Sequence, residues 1–96
     1  MELLGKPCNG RRLTGLQFGR DGQLYGVGGD GERVRVFSYD RESGKTNHYG
    51  IVYDYEYGEG ADHCHDMCIT DDYVVYAGEN DNPRRSGFLW ECKLNR

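Results

Sequence analysis

Residues 16–26 read LQFGRDGQLYG, and residues 67–77 read MCITDDYVVYA. Displaced by 51 positions, the two stretches place Tyr76 on Tyr25 and Asp72 on Asp21, and slightly further on Asp81 falls on Asp30. Apolar character matches as well, with Met67 on Leu16, Ile69 on Phe18 and Val75 on Leu24. After a two-residue change of loop length, LWECK (89–93) falls on VFSYD (36–40). The chain is one unit written twice.

Each copy is built from short alternating segments broken by Gly and Asp. In GLQFG, Leu16 and Phe18 share a face, RDG turns the chain, and Leu24 and Tyr25 open the next segment. GGDGE turns it again. RVRVFSYD then alternates Val34, Val36 and Ser38 against Arg35, Phe37 and Tyr39, the period of a strand with at least one buried face. RESGK is a loop, and NHYGIVYDYEY (47–57) reads as a further strand. No segment sustains a helical period, so the expected fold is an all-β meander. Its divisions are an N-terminal extension (1–12), a first unit (13–60) and a second unit (61–96).

Composition narrows the function classes. A chain of 96 residues holds one domain with a single small core. Chains this short bury only about two-thirds of the surface they expose when unfolded, so a partner, metal or cross-link would help them. The net charge of −4 gives no basic footprint for nucleic acid, and the pairs Arg11–Arg12 and Arg84–Arg85 do not make a patch. No apolar run has the length of a membrane span, and MELLGKPCNGRR does not read as a secretory signal. Fifteen glycines and eight tyrosines against two prolines favour turn-rich β-structure. Four cysteines (Cys8, Cys64, Cys68 and Cys92) are too sparse for a disulfide scaffold and read as reduced thiols or metal ligands.

A repeat near 50 residues with three or four short strands per copy is the period of kelch-type propeller blades. DGQLYG followed by RVFSYDRESGK, with the echo DDYVVYAGENDN…GFLWECKL, resembles the blade repeats of β-propeller proteins over about residues 13–95. The turns and strands are similar to those of carbohydrate-handling bacterial propellers, and the second copy to blades of propeller-type polysaccharide (ulvan) lyases. The resemblance implies two blades of three to four antiparallel strands and a carbohydrate partner. Two blades do not close a ring of about 4–8. The chain is therefore expected to form a homo-oligomer, a trimer being favoured, or to belong with further blades of a longer chain.

Two stretches carry candidate chemistry. ADHCHDMC (61–68) gathers His63, Cys64, His65 and Cys68, and Cys92 lies on the third strand of the same unit. These are the ligand types that Zn²⁺ takes tetrahedrally. In an extended chain His63 and His65 share one side, and Cys64 and Cys68 the other, so convergence of all four needs a bend. The repeat starts the second unit's inner strand at Met67 and so places His63 to Asp66 in the connection that enters it; the first copy has RRLTGL there, so the repeat itself does not require the cluster. His63 or His65 could instead act as general base or acid in β-elimination from a uronate, with Arg84 neutralising its carboxylate. IVYDYEYGEG sets Ile51, Tyr53, Tyr55 and Tyr57 on one side of an extended strand, a platform on which sugar rings could stack.

Two other motifs weigh less. GENDN (78–82) is rich in oxygen donors that Ca²⁺ accepts, yet it lacks the regular spacing of a calcium loop. GVGGDG (26–31) matches the dinucleotide fingerprint in letters, but a strand pattern follows where that site needs a helix N-terminus. The expected function is a carbohydrate-associated binding or structural module. The alternative is a part of a propeller-type polysaccharide lyase.

Overall fold

The computed structural model describes residues 1–5, 7, 13–29, 33–79 and 87–94. Among them there is no helix, and three antiparallel sheets account for the regular structure. The first sheet is a meander of β1 (Leu13–Phe18), β2 (Leu24–Gly28), β3 (Arg35–Tyr39) and β4 (Thr46–Ile51). A two-stranded hairpin of β5 (Tyr53–Asp54) and β6 (Glu59–Gly60) follows. The second sheet runs β7 (Cys64–Ile69), β8 (Val74–Glu79) and β9 (Leu89–Lys93).

The 51-residue displacement carries through to the ladder. Leu16 pairs with Gly26 as Met67 pairs with Ala77, and Phe18 with Leu24 as Ile69 with Val75. The bulges coincide too, between Leu13 and Gly15 in one sheet and between Cys64 and Asp66 in the other. The turns match in the same way. Gly19 N–H donates to Gln23 O and Gly22 N–H to Gly19 O, as Thr70 N–H does to Val74 O and Tyr73 N–H to Thr70 O. Gly22 holds φ at +82°, and its counterpart Tyr73 holds +64°, a conformation that costs a side-chain-bearing residue about 1–2 kcal/mol. For the third strands the offset is 53, since Tyr25 faces Ser38 as Tyr76 faces Glu91.

Period-two geometry gives each sheet two faces. On one, here called the front, the first sheet carries Leu16, Phe18, Leu24, Phe37 and Tyr39, and the second sheet the counterparts Met67, Ile69, Val75, Trp90 and Cys92. On the back, the first sheet carries Gln17, Tyr25, Val27, Val36 and Ser38. The counterparts there are Cys68, Tyr76, Gly78, Leu89 and Glu91.

The two sheets stack back on front, with β1 and β2 against β7. Tyr25, Val27 and Val36 meet Met67, Ile69, Val75, Ala77 and Trp90 in one core, which Val34, Val52, Ala61 and Cys64 extend. Each buried Val, Ile or Met side chain among them contributes about 1.5–3 kcal/mol. Two details fix the approach. A Cβ on Gly15 would lie 2.7 Å from Met67 Cγ, so only glycine lets β1 come this close. Gln17 Oε1 then accepts the Ile69 N–H at 3.0 Å, joining the two edge strands.

Three sequence expectations are corrected here. The second copy's first strand begins at Cys64, so Cys64, His65 and Asp66 belong to β7 and not to the connection before it. Because of the bulge, Cys64 is buried and Cys68 exposed on the opposite face, whereas simple alternation had placed them together. Residues 47–57 are not one strand. Asp54 Oδ1 accepts the N–H groups of Glu56 and Tyr57, Gly58 takes φ +72°, and the chain folds back as a hairpin. In GVGGDG, Gly26 to Gly28 lie within β2 and Gly29 turns at φ +104°, while residues 30–31 lie outside the described residues.

Candidate functional site

The hairpin of β5 and β6 divides the tyrosines. The Tyr53 and Tyr55 rings meet edge to face with centroids 4.9 Å apart. Tyr57 is carried round the turn to the second sheet, where its ring meets Phe88 edge to face at 5.7 Å. Phe88 in turn meets Trp90 at 5.9 Å. Tyr57, Phe88, Leu89, Trp90 and Asp54 line a cleft of about 350 Å³. The indole Nε1 of Trp90 is buried with no hydrogen-bond partner among the described residues. Buried indole N–H groups ordinarily find an acceptor, so this donor is free for one.

Phe88 is held at the cleft by Glu79, which sequence patterning did not single out. Glu79 is buried, its Oε1 accepts the Phe88 N–H at 3.1 Å, and its Oε2 accepts the Asp62 N–H at 2.8 Å. Its own N–H donates to Phe88 O at 2.9 Å. One carboxylate thus ties the entries of β7 and β9 to the end of β8. The alternating apolar letters Phe88 and Trp90 in GFLWE were the available signal for the cleft.

The His–Cys cluster is more dispersed. His63 is half-buried with Nε2 lacking a partner among the described residues, and its ring stands edge to face with that of exposed His65 at 5.0 Å. Burial foremost, then the nearby Glu79 and Cys92, pushes the Cys64 thiol up to about 12. Burial foremost, then Glu91, pushes Cys92 up to about 11. Both therefore stay protonated near neutrality, opposite to what an exposed nucleophile needs. Cys64, Cys68 and Cys92 are free thiols, and Cys8 lies outside the described residues.

His63 and His65 could supply two nitrogen ligands, and Cys64 with Cys92 lies on the buried side. Cys68 points away. Among the described residues no three His, Cys, Asp or Glu side chains gather around one ion position. Arg84 and Asp81, and with them most of GENDN, lie outside the described residues. Neither the aromatic cleft nor the larger groove of about 390 Å³ between β4 and β9 has His63 or His65 in its lining.

No family model, no curated protein and no solved structure matches this chain.

Proposed function

We propose that the chain is a pair of β-propeller blades that binds carbohydrate through the aromatic cleft at the edge of the second sheet. The blade reading rests on the repeated meander, its shared bulge and turn positions, and the back-on-front stacking of two small sheets. The binding reading rests on one observation: Tyr57, Phe88 and Trp90 form a continuous edge-to-face series in a cleft that Asp54 also lines. Ring faces take the C–H side of a pyranose, while the Asp54 carboxylate takes its hydroxyls.

Trp90 is the sole tryptophan, so its emission reports directly on the cleft. Titration with neutral and uronate-containing oligosaccharides is expected to shift that emission saturably, and Tyr57→Ala, at an exposed ring, to abolish the shift while the fold is kept. Equal responses of Tyr57→Ala and the parent chain would refute the cleft as the binding site.

A second reading, β-elimination of a uronate-containing glycan, draws on the unpartnered Nε2 of His63 beside His65. It requires accumulation of an unsaturated, ultraviolet-absorbing product that His63→Ala suppresses. Binding with no such product leaves the non-catalytic module.

A further inference from the structure

We propose that the front face of the first sheet, centred on Leu16 and Phe18, receives the back face of the second sheet, centred on Cys68 and Tyr76, of another copy of this chain. The repeat itself identifies the occupant. Inside one chain a back face built on Gln17, Tyr25 and Val36 covers a front face built on Met67, Ile69 and Val75. Leu16 and Phe18, the counterparts of Met67 and Ile69, and Cys68 and Leu89, the counterparts of Gln17 and Val36, are left exposed, while Phe37, the counterpart of Trp90, is buried.

The uncovered front is apolar. Leu16 is 49 % and Phe18 54 % exposed, where their counterparts Met67 and Ile69 are 7 % and 8 %. Phe37 on the same face is buried, and Leu4, Gly5 and Pro7 share with it, Leu16 and Tyr39 the lining of a cavity of about 240 Å³. The uncovered back keeps apolar character at the matching place: Leu89 is 77 % exposed, while its counterpart Val36 is 3 %. Tyr76 stands where Tyr25 stands, its hydroxyl donating to Glu91 as that of Tyr25 donates to Asp21.

The edge strands match as well. The Ile69 N–H leaves β7 to reach Gln17 across the contact, and Phe18 holds the same register in β1. Its N–H is therefore offered to residue 68 of a neighbouring copy. A front that meets a back is a heterologous contact, which propagates from copy to copy and either closes a ring or extends.

Of the back-face residues only Tyr76 repeats its counterpart, and two of the departures fall where the internal contact is closest and weaken it. Asp66 stands at the place of Gly15, where the internal contact admits no Cβ. Cys68 stands at the place of Gln17 and offers a thiol where the internal contact uses an amide oxygen. The association is accordingly reversible and concentration-dependent. It does not rest on the sugar-binding reading: it shares Leu89 with the aromatic cleft but uses neither Tyr57 nor the indole of Trp90.

Sedimentation velocity and native mass of the full chain, from micromolar to millimolar concentration, test it. The expected result is mass growth in the parent chain, its loss in Phe18→Glu and also in Cys68→Glu, and a one-to-one heterodimer, with nothing larger, on mixing those two variants. That mixture joins the intact front of one chain to the intact back of the other. Asp66→Gly with Cys68→Gln, which restores the internal contact's residues, is expected to tighten assembly several-fold. A parent chain that stays monomeric across the range overturns the proposal. So does assembly lost in Phe18→Glu but kept in Cys68→Glu, which would mean front-to-front pairing.

Discussion

The two sheets share strand register, bulge position and turn geometry, yet they bury opposite faces. The first hides its back, with Tyr25 and Val27 fully enclosed, while on its front Phe37 is buried and Leu16 and Phe18 stand half in water. The second hides its front, exposes Cys68 and Glu91 on its back, and leaves Tyr76 there half-buried. The same backbone thus holds two different burial patterns, and the cause lies outside either sheet. A small twisted sheet has two faces and can cover neither alone. Which face becomes core depends on the side from which its neighbour arrives. Equivalent residues should then carry unequal energies, and substitution in pairs measures how unequal.

The largest difference is expected for the paired tyrosines. Tyr25→Ala removes a buried ring that stacks on Tyr49 at 6.1 Å and donates to Asp21 at 2.8 Å. It should cost about 3–5 kcal/mol in urea unfolding. Tyr76→Ala, on the uncovered face, should cost within about 0.5 kcal/mol in a dilute sample. Equal losses would break the comparison.

A smaller contrast is expected where the sheets touch. Gly15→Ala drives a methyl group to 2.7 Å from Met67 Cγ and 3.1 Å from Met67 N, and should cost about 1–3 kcal/mol by overpacking. Asp66→Ala, at the counterpart position, should be nearly neutral to unfolding in dilute solution. At the β1–β2 turn, Gly22→Ala should cost about 1 kcal/mol, because its φ of +82° disfavours a Cβ. Turn strain of that size at Tyr73 is already offset by its ring, which packs beside Tyr25 at 6.1 Å.

The thiols give the mildest contrast, in pH. Cys64 and Cys92 ionise near 9 when unfolded and near 12 and 11 when folded. A folded value raised in this way leaves stability intact below pH 9 and removes it progressively as pH rises from 9 towards 11 to 12. The melting temperature should therefore decline over that window, and less steeply in Cys64→Ala, whose lower starting stability is compared by slope alone. A flat profile would contradict the burial of these thiols.

Much of this contrast was legible in the sequence, and its asymmetry was not. The 51-residue offset between LQFGRDGQLYG and MCITDDYVVYA predicted strand pairing, down to the matching of Tyr25 with Tyr76. Simple alternation failed at two local features. The bulge before Asp66 adds one residue to β7 and moves Cys68 to the face opposite Cys64, with no letter marking the shift. The tyrosine run from Tyr53 to Tyr57 keeps a period of two through a hairpin, because Asp54 can turn the chain without interrupting that pattern. Gly58 was the sign of it. The aromatic cleft was missed for a third reason: it joins Tyr57 to Phe88, residues 31 positions apart that only the folded hairpin brings together.

Alkylation of Cys68, followed residue by residue as chain concentration is raised, tests most directly whether the second sheet's open face is covered by another copy. Cys68 is exposed in the single chain, while burial keeps Cys64 and Cys92 protonated and slow at neutral pH. Rapid modification of Cys68 is expected in dilute solution, with protection that grows with concentration and vanishes in Phe18→Glu. A Cys68 rate that stays the same from dilute to concentrated solution would contradict it.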